Sequence, residues 1–258
     1  MLKHKYTLNI VTMTTKILDI HTHRHAPQPD AVVCVSPENF NPIANQLYSV
    51  GIHPWLTAEG IPDELWDALE EAAKHPQVVA IGECGIDLVK GGPLYKQMLV
   101  MKRQVELSER IGKPLIIHCV HAHDIVIGLK KDLKPTQKWL VHGFRGKPTV
   151  AAMFCKAGIA LSFGDKYNDS SVKDVPEGML FAETDESEVS IEEIITRLSM
   201  LAGRDLTPEI ARDSALFLGL ENSDANGNDT EDPAIQEEEI HVEEGSAVPE
   251  EESDRSEE

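Results

Sequence analysis

The sequence predicts an α/β fold, a (β/α)8 TIM barrel with shortened first crossovers, and three observations carry that expectation. Eight short apolar runs follow one another and, in the later part of the chain, alternate with helix-period segments, as a ring of parallel strands with crossover helices requires. Five of these runs end on a residue able to bind a divalent metal: Asp19-Ile20-His21-Thr22-His23, Ala80-Ile81-Gly82-Glu83, Leu115-Ile116-Ile117-His118, Trp139-Leu140-Val141-His142 and Leu180-Phe181-Ala182-Glu183-Thr184-Asp185. Such barrels build their sites from the C-terminal ends of strands distant in sequence. A body of roughly 200 residues is also the size of one such barrel.

The strands are expected at Lys16–Ile20, Ala31–Val35, Leu47–Ile52, Val78–Gly82, Pro114–Ile117, Lys138–Val141, Ile159–Phe163 and Met179–Ala182, runs rich in aliphatic and β-branched residues that suit burial on both faces. Helical patterns lie at Pro62–Lys74, Leu94–Ile111, His123–Lys131 and Pro148–Lys156, and two more, Ile191–Ala202 and Pro208–Leu218, close the body. Pro62 and Pro208 fall early in their helices, where a missing N–H costs little, and Gly158 and Gly203 follow helix ends. Only His25–Asp30 separates the first two strands, and the link to the third is short, so one or two barrel helices are missing. The bared wall is expected to be covered by residues 1–14 or by a second subunit, because large apolar patches seldom stay wet.

Charge divides the chain. The formal net charge is −20, but from Glu221 to Glu258 sixteen acidic residues face only Arg255, so −15 belongs to that segment and −5 to the body. The expected organisation is an N-terminal extension at 1–15, the barrel domain at 16–220 and a disordered acidic tail at 221–258, since a tract such as Glu237-Glu238-Glu239 has too little apolar surface to offset the entropy of ordering. No apolar stretch approaches the length of a membrane span and the N-terminus lacks a signal-peptide core, so a cytoplasmic protein, monomer or homo-oligomer, is expected. Cys34, Cys84, Cys119 and Cys155 show no CxxC pairing. Reduced, buried thiols are expected, with zinc thiolate ligation as the alternative.

His21 and His23 alternate along a strand end, so both side chains face the same way and can grip one ion at the barrel mouth. Glu83, His118, His142 and Asp185 rise to the same mouth. Four imidazoles and two carboxylates suit two divalent ions of the Zn, Mn, Mg or Co kind. His21, His23 and Asp185 would hold one, His118 and His142 the other, with Glu83 spanning both at about 4 Å. A metal-bound hydroxide at neutral pH, with Asp185 orienting the water and carrying a proton, makes hydrolysis the expected reaction and Asp185 and Glu83 the catalytic carboxylates.

The segments Asp19-Ile20-His21-Thr22-His23, Gly51-Ile52-His53-Pro54, Gly82-Glu83-Cys84-Gly85-Ile86-Asp87, Ile117-His118-Cys119, His142-Gly143-Phe144-Arg145-Gly146 and Glu183-Thr184-Asp185 resemble, in this order across residues 16 to 218, the TatD family of metal-dependent deoxyribonucleases. The resemblance implies a TIM-barrel metallohydrolase of the amidohydrolase-like class, acting as a DNase, often in the 3′ to 5′ exonuclease direction. By position it implies metal ligation by His21, His23, Glu83, His118, His142 and Asp185, and a substrate-side role for His53. The chain departs from the family pattern at Val120, where an Arg often stands, and at Glu186-Ser187, where a Pro commonly follows the acidic segment. Arg24, Arg145 and Lys147 remain as candidate phosphate contacts, since guanidinium and ammonium groups pair with phosphate.

Blander readings stand beside these. Glu83 could pair with a barrel lysine, His53 could be a satisfied strand-end histidine, and Arg145 could serve a rim ion pair. Asp87 is expected in a turn or supporting role rather than as a ligand. His121 and His123 run into a helix start and are expected in solvent. The expected substrate is a DNA end or another phosphoester. The competing functions are an amide or ester hydrolase, because the same hydroxide attacks a carbonyl, and a non-catalytic metal-containing binding protein.

Overall fold

A computed structural model describes residues 16–220. Eight parallel strands pair in sequence order: β1 (Asp19–Thr22), β2 (Ala31–Val35), β3 (Leu47–Val50), β4 (Val78–Asp87), β5 (Leu115–Val120), β6 (Trp139–Val141), β7 (Ile159–Phe163) and β8 (Leu180–Ala182). The ring closes between its first and last strands. The His23 N–H donates to the Asp185 carbonyl, and the Asp185 N–H to the His21 carbonyl, each at 3.0 Å. That closure brings the HxH segment and the acidic segment together although 162 residues separate Thr22 from Thr184.

The helices are α1 (Asp63–Ala73), α2 (Leu94–Ile111), α3 (His123–Leu133), α4 (Pro148–Lys156), α5 (Asp169–Val172), α6 (Ile191–Ala202) and α7 (Thr207–Leu218). No helix joins β1 to β2, and only a 3-10 turn at Pro37–Asn39 lies between β2 and β3, so both early crossovers are shortened. Leu18 and Val33 on this wall are buried in the same cluster as the helices' inward faces. The residues 1–14 expected to cover the wall, and the acidic segment 221–258, lie outside the described residues. None of the described helices is long and apolar enough to cross a membrane.

Alternation divides each strand between two clusters. Inside the barrel, Val32, Ala80, Ile116, Leu140, Ala160 and Phe181 pack together with Phe217 and Leu218 from the last turn of α7, closing the end at which the strands begin. Phe181 and Phe217 meet edge-on at 5.4 Å. Outside, the other strand faces, among them Ile81, Ile117, Val141 and Leu161, pack on the helices.

Several boundaries differ from expectation. β1 begins at Asp19 rather than Lys16 and includes His21, and β4 runs to Asp87 instead of stopping at Gly82. The sequence pattern ends this strand at Gly82 and places Asp87 in a turn or supporting role. In the structure β4 continues alongside β5, Gly85 opposite His118 and Asp87 opposite Val120. A Cβ on Gly85, whose φ is +143°, would lie 2.0 Å from the His118 carbonyl oxygen, so the close approach of the two backbones requires glycine. α5, a four-residue helix capped by the Asn168 side chain, is too short to register as a periodic pattern.

Candidate active site

Two buried glutamines on α2 fix the loops that carry site residues. Gln104 accepts the Ile52 N–H at 2.8 Å and donates to its carbonyl at 3.0 Å, beside His53. Gln97 does the same for Asp87, at 2.8 and 3.0 Å. Each amide side chain supplies the donor and acceptor that a neighbouring strand would otherwise provide.

At the open end, the six residues with expected metal-binding character come together, with four of the histidines around Glu83, and Asp185 beside His21 and His23. The Glu83 Oε1 lies 2.5 Å from His118 Nδ1, 2.7 Å from His142 Nε2 and 3.1 Å from His53 Nε2. Its Oε2 lies 3.2 Å from His23 Nε2 and 3.6 Å from His21 Nε2. Asp185 completes the second side, with Oδ1 3.7 Å from the Nε2 of both His21 and His23. Glu83 thus parts the imidazoles, with His118, His142 and His53 on Oε1 and His21 and His23 on Oε2. Asp185 holds a backbone φ of +52°, an uncommon conformation for a residue with a side chain and one that recurs at functional sites.

The electrostatics of the cluster are those of a site suited to a cation. Burial, then His142, pushes His21 well below the usual histidine range, so its ring is neutral. That ring is 0% exposed and neither nitrogen has a hydrogen-bond partner. A buried orphan of this kind costs free energy, of order 1–3 kcal/mol, unless something binds it. Burial alone would raise Glu83, but His142 and hydrogen bonds from His118, His142 and His23 hold it well below the carboxylate range. Burial likewise opposes protonation of His142, and the Glu83 and Glu183 carboxylates outweigh it, holding His142 well above the histidine range. The hydrogen bond to Glu83 raises His23, while burial, then Glu183, raises Asp185.

Behind the imidazoles stand groups that orient them. His118 Nε2 faces Asp87 Oδ2 at 3.1 Å, which fixes the ring so that Nδ1 faces Glu83 and would be the nitrogen available to an ion. Asp87 also accepts the Trp55 indole N–H at 2.6 Å and the Val89 and Lys90 backbone N–H groups at 2.7 and 2.9 Å. It therefore fills both the turn and the supporting role expected of it. His142 Nδ1 lies 3.6 Å from Glu183 Oε1, and Glu183 Oε2 accepts the Ser162 hydroxyl. His53 Nδ1 accepts the Trp55 N–H at 3.2 Å, so the hydrogen of His53 sits on Nε2 and points at Glu83.

A cavity of about 880 Å³ opens over the cluster, walled by Trp55, Phe144, Lys90 and Arg145. Arg145 reaches it from an exposed position. His121 and His123, expected in solvent, also line this cavity: His121 is exposed and His123 half-buried. Arg24 requires correction as a phosphate contact. Its guanidinium is spent on backbone carbonyls, Ser187 at 2.5 Å and Val189 at 2.9 Å, and clasps the loop after β8. Sequence reasoning passed over Trp55, Glu183 and Ser162, and did not single out Cys34 among the cysteines. Of these only Glu183 carried a signal, its place at a strand end two residues before Asp185.

Residues 38–188 match the family model described as TatD related DNase. The "Uncharacterized metal-dependent hydrolase YabD" of Bacillus subtilis is 32% identical over 146 residues, 53% of this chain and 57% of that protein. The "3'-5' ssDNA/RNA exonuclease TatD" of Erwinia billingiae is 30% identical over 115 residues, 44% of each chain. The chain thus spans about half the length of these curated relatives. The crystal structure of YjjV, a TatD homologue from Escherichia coli, superposes with a TM-score of 0.67 at 22% identity, covering 80% of this chain and 98% of that one, which shows the shared barrel. The match across more than half its length makes the chain a member of the TatD related DNase family.

Proposed function

We propose that the protein is a divalent-metal-dependent hydrolase that cleaves phosphodiester bonds at nucleic-acid ends, with DNA as substrate and 3′ to 5′ exonuclease direction. The observation that carries the proposal is Glu83 standing between two pairs of imidazoles, with the buried His21 ring unpartnered on one side. On the pairwise distances we assign His21, His23 and Asp185 to one ion and His118 and His142 to the other, with Glu83 shared; the tight donor groups are His21, His23, Cys34 and Glu83, then His21, His142 and Asp185, then His53, Glu83 and His118. When bound, the ions supply Lewis acidity, lowering the pKa of water and neutralising charge on a phosphoryl oxygen.

The remaining steps belong to the chain's own side chains. Asp185, whose carboxyl burial and Glu183 push upward, stands on the cavity side of the cluster and is suited to take and return a proton. His53 presents its Nε2 hydrogen at the cavity floor, where a phosphoryl oxygen can accept it in place of Glu83. Arg145 is free to meet the next phosphate at the rim. Trp55, nearly half exposed at the cavity wall, offers its indole face to a base, and the buried Phe144 backs the wall with apolar surface.

The test is release of mononucleotides from end-labelled single-stranded DNA by protein stripped of metal and refilled separately with Mg, Mn, Co or Zn. Metal-dependent release that is lost in Asp185→Ala supports the proposal. Turnover of small amides or esters, with none of DNA by metal-loaded protein, replaces it with hydrolysis at a carbonyl centre.

A further inference from the structure

Cys34 is the last inward-facing residue of β2. Val32 packs inside the barrel, and strand alternation carries Cys34 to the same face one layer higher, level with Ser49 on β3. There the Cys34 sulfur joins His21, His23 and Glu83 in a group whose four donor atoms all lie within 4.8 Å of one another. An independent observation points to a ligand in the same space. His21, 0% exposed, leaves both ring nitrogens without a partner, and its donor nitrogen is one of the four. The other cysteines differ: the Cys84 thiol turns away to the Ile116 carbonyl at 3.7 Å, Cys119 lines the cavity but is in none of the tight donor groups, and Cys155 lies on α4.

We propose that Cys34 is a protein ligand of the ion at His21 and His23, forming with them and Glu83 a set of two nitrogens, one oxygen and one sulfur that favours zinc or cobalt over magnesium or manganese. This rests on the two-ion reading above. Tetrahedral sites built from Cys and His hold zinc at about 2.3 Å from sulfur and 2.0–2.1 Å from nitrogen, and thiolate selects soft ions, whereas carboxylate and water suit magnesium and manganese. Binding breaks the S–H bond, forms the sulfur–metal bond and passes the proton to solvent, with no oxidant or reductant involved. In this set Cys34 takes the place given above to Asp185 as the further ligand of that ion, and Asp185 stays on the cavity side for proton transfer.

The test is the absorption spectrum of the full-length protein loaded with Co(II), beside Cys34→Ser and Cys155→Ser. The expected result is a near-ultraviolet sulfur-to-cobalt charge-transfer band in the wild type that persists in Cys155→Ser and vanishes in Cys34→Ser, while visible cobalt bands remain in all three. Zinc affinity is expected to fall at least about 10-fold in Cys34→Ser, with manganese affinity changed far less. Visible cobalt bands without charge transfer in the wild type overturn the thiolate assignment and leave the two-ion reading standing, and because that spectrum is the wild type's own, it decides even if the serine variant misfolds. A charge-transfer band that survives in folded Cys34→Ser overturns the assignment too. No cobalt uptake by the wild type overturns the two-ion reading and the thiolate with it.

Discussion

Substituting Asp87 with Asn changes one atom and reverses one hydrogen-bonding end. All four groups around the carboxylate are donors: Val89 and Lys90 N–H on Oδ1, Trp55 Nε1–H and His118 Nε2 on Oδ2. The two backbone donors cannot rotate, so the amide oxygen stays with them and the amide NH2 turns toward Trp55 and His118. Trp55 then loses its partner, at a cost of about 1–3 kcal/mol. His118 can accept the new donor only by moving its hydrogen to Nδ1, the nitrogen that faces Glu83 at 2.5 Å and is offered to the metal. Loss of such an orienting carboxylate lowers metal affinity about 10–100-fold, or about 1.4–2.7 kcal/mol. The ion at His118 and His142 is therefore expected to weaken by that factor, and the ion at His21 and His23 by less than about 3-fold, because Asp87 does not touch it. Metal-free Asp87→Asn is expected to melt about 4–8 °C lower for a loss of about 2 kcal/mol. Calorimetric titration with manganese resolves the two affinities. Two unchanged affinities, or two lowered equally, would refute the reasoning.

Three further outcomes follow from the contacts. Arg145→Ala should reduce the salt dependence of single-stranded DNA binding by about one phosphate contact without changing the melting temperature, whereas Arg24→Ala should cost about 1–3 kcal/mol of stability and leave the salt slope alone, since Arg24 binds Ser187 and Val189. A reversed pattern in fluorescence titrations and melts would contradict those roles. Gly85→Ala places a methyl 2.0 Å from the His118 carbonyl at a φ of +143°, and about 3 kcal/mol or more of destabilisation is expected; a wild-type melt would show that β4 and β5 are not so closely paired. Glu109 accepts from the Thr136 hydroxyl and from the Thr136 and Gln137 N–H groups; burial alone would raise its pKa, but these bonds outweigh burial and hold it below the usual value. With the folded pKa depressed, its stabilisation is present above the unfolded value of about 4.3 and is lost as pH falls through the folded one. The melting difference between wild type and Glu109→Gln should accordingly be steady near neutrality and shrink below about pH 4, and a difference independent of pH would refute the assignment.

The barrel was legible because its strands are buried on both faces and read as aliphatic runs, and because α2, α4 and α6 begin and end where proline, periodicity and glycine place them. The convergence of His21, His23, Glu83, His118, His142 and Asp185 was legible for a related reason: a charged or imidazole residue directly after a buried run has few other places to go than the barrel mouth. What stayed hidden depends on through-space relations that local pattern does not encode. The β4 extension was hidden because Gly85 is there for the approach of β5, not for chain reversal. Gln97 and Gln104 read as ordinary polar residues of a helix, and only the fold turns them against Asp87 and Ile52. Arg24 looked free because its partners, Ser187 and Val189, are main-chain carbonyls with no sequence signature. Cys34 sat near the end of its strand like any aliphatic residue, and the pairing of β2 with β1 set its sulfur beside His21.

The central claim is that Glu83 is shared between two ions, and anomalous diffraction from crystals of the protein loaded with manganese or zinc tests it most directly. The expected result is two peaks about 3.5–4 Å apart, one against His21 and His23, the other against His118 and His142, with one Glu83 oxygen on each. A single peak remote from Glu83, or two peaks with Glu83 bound to neither, would contradict the account.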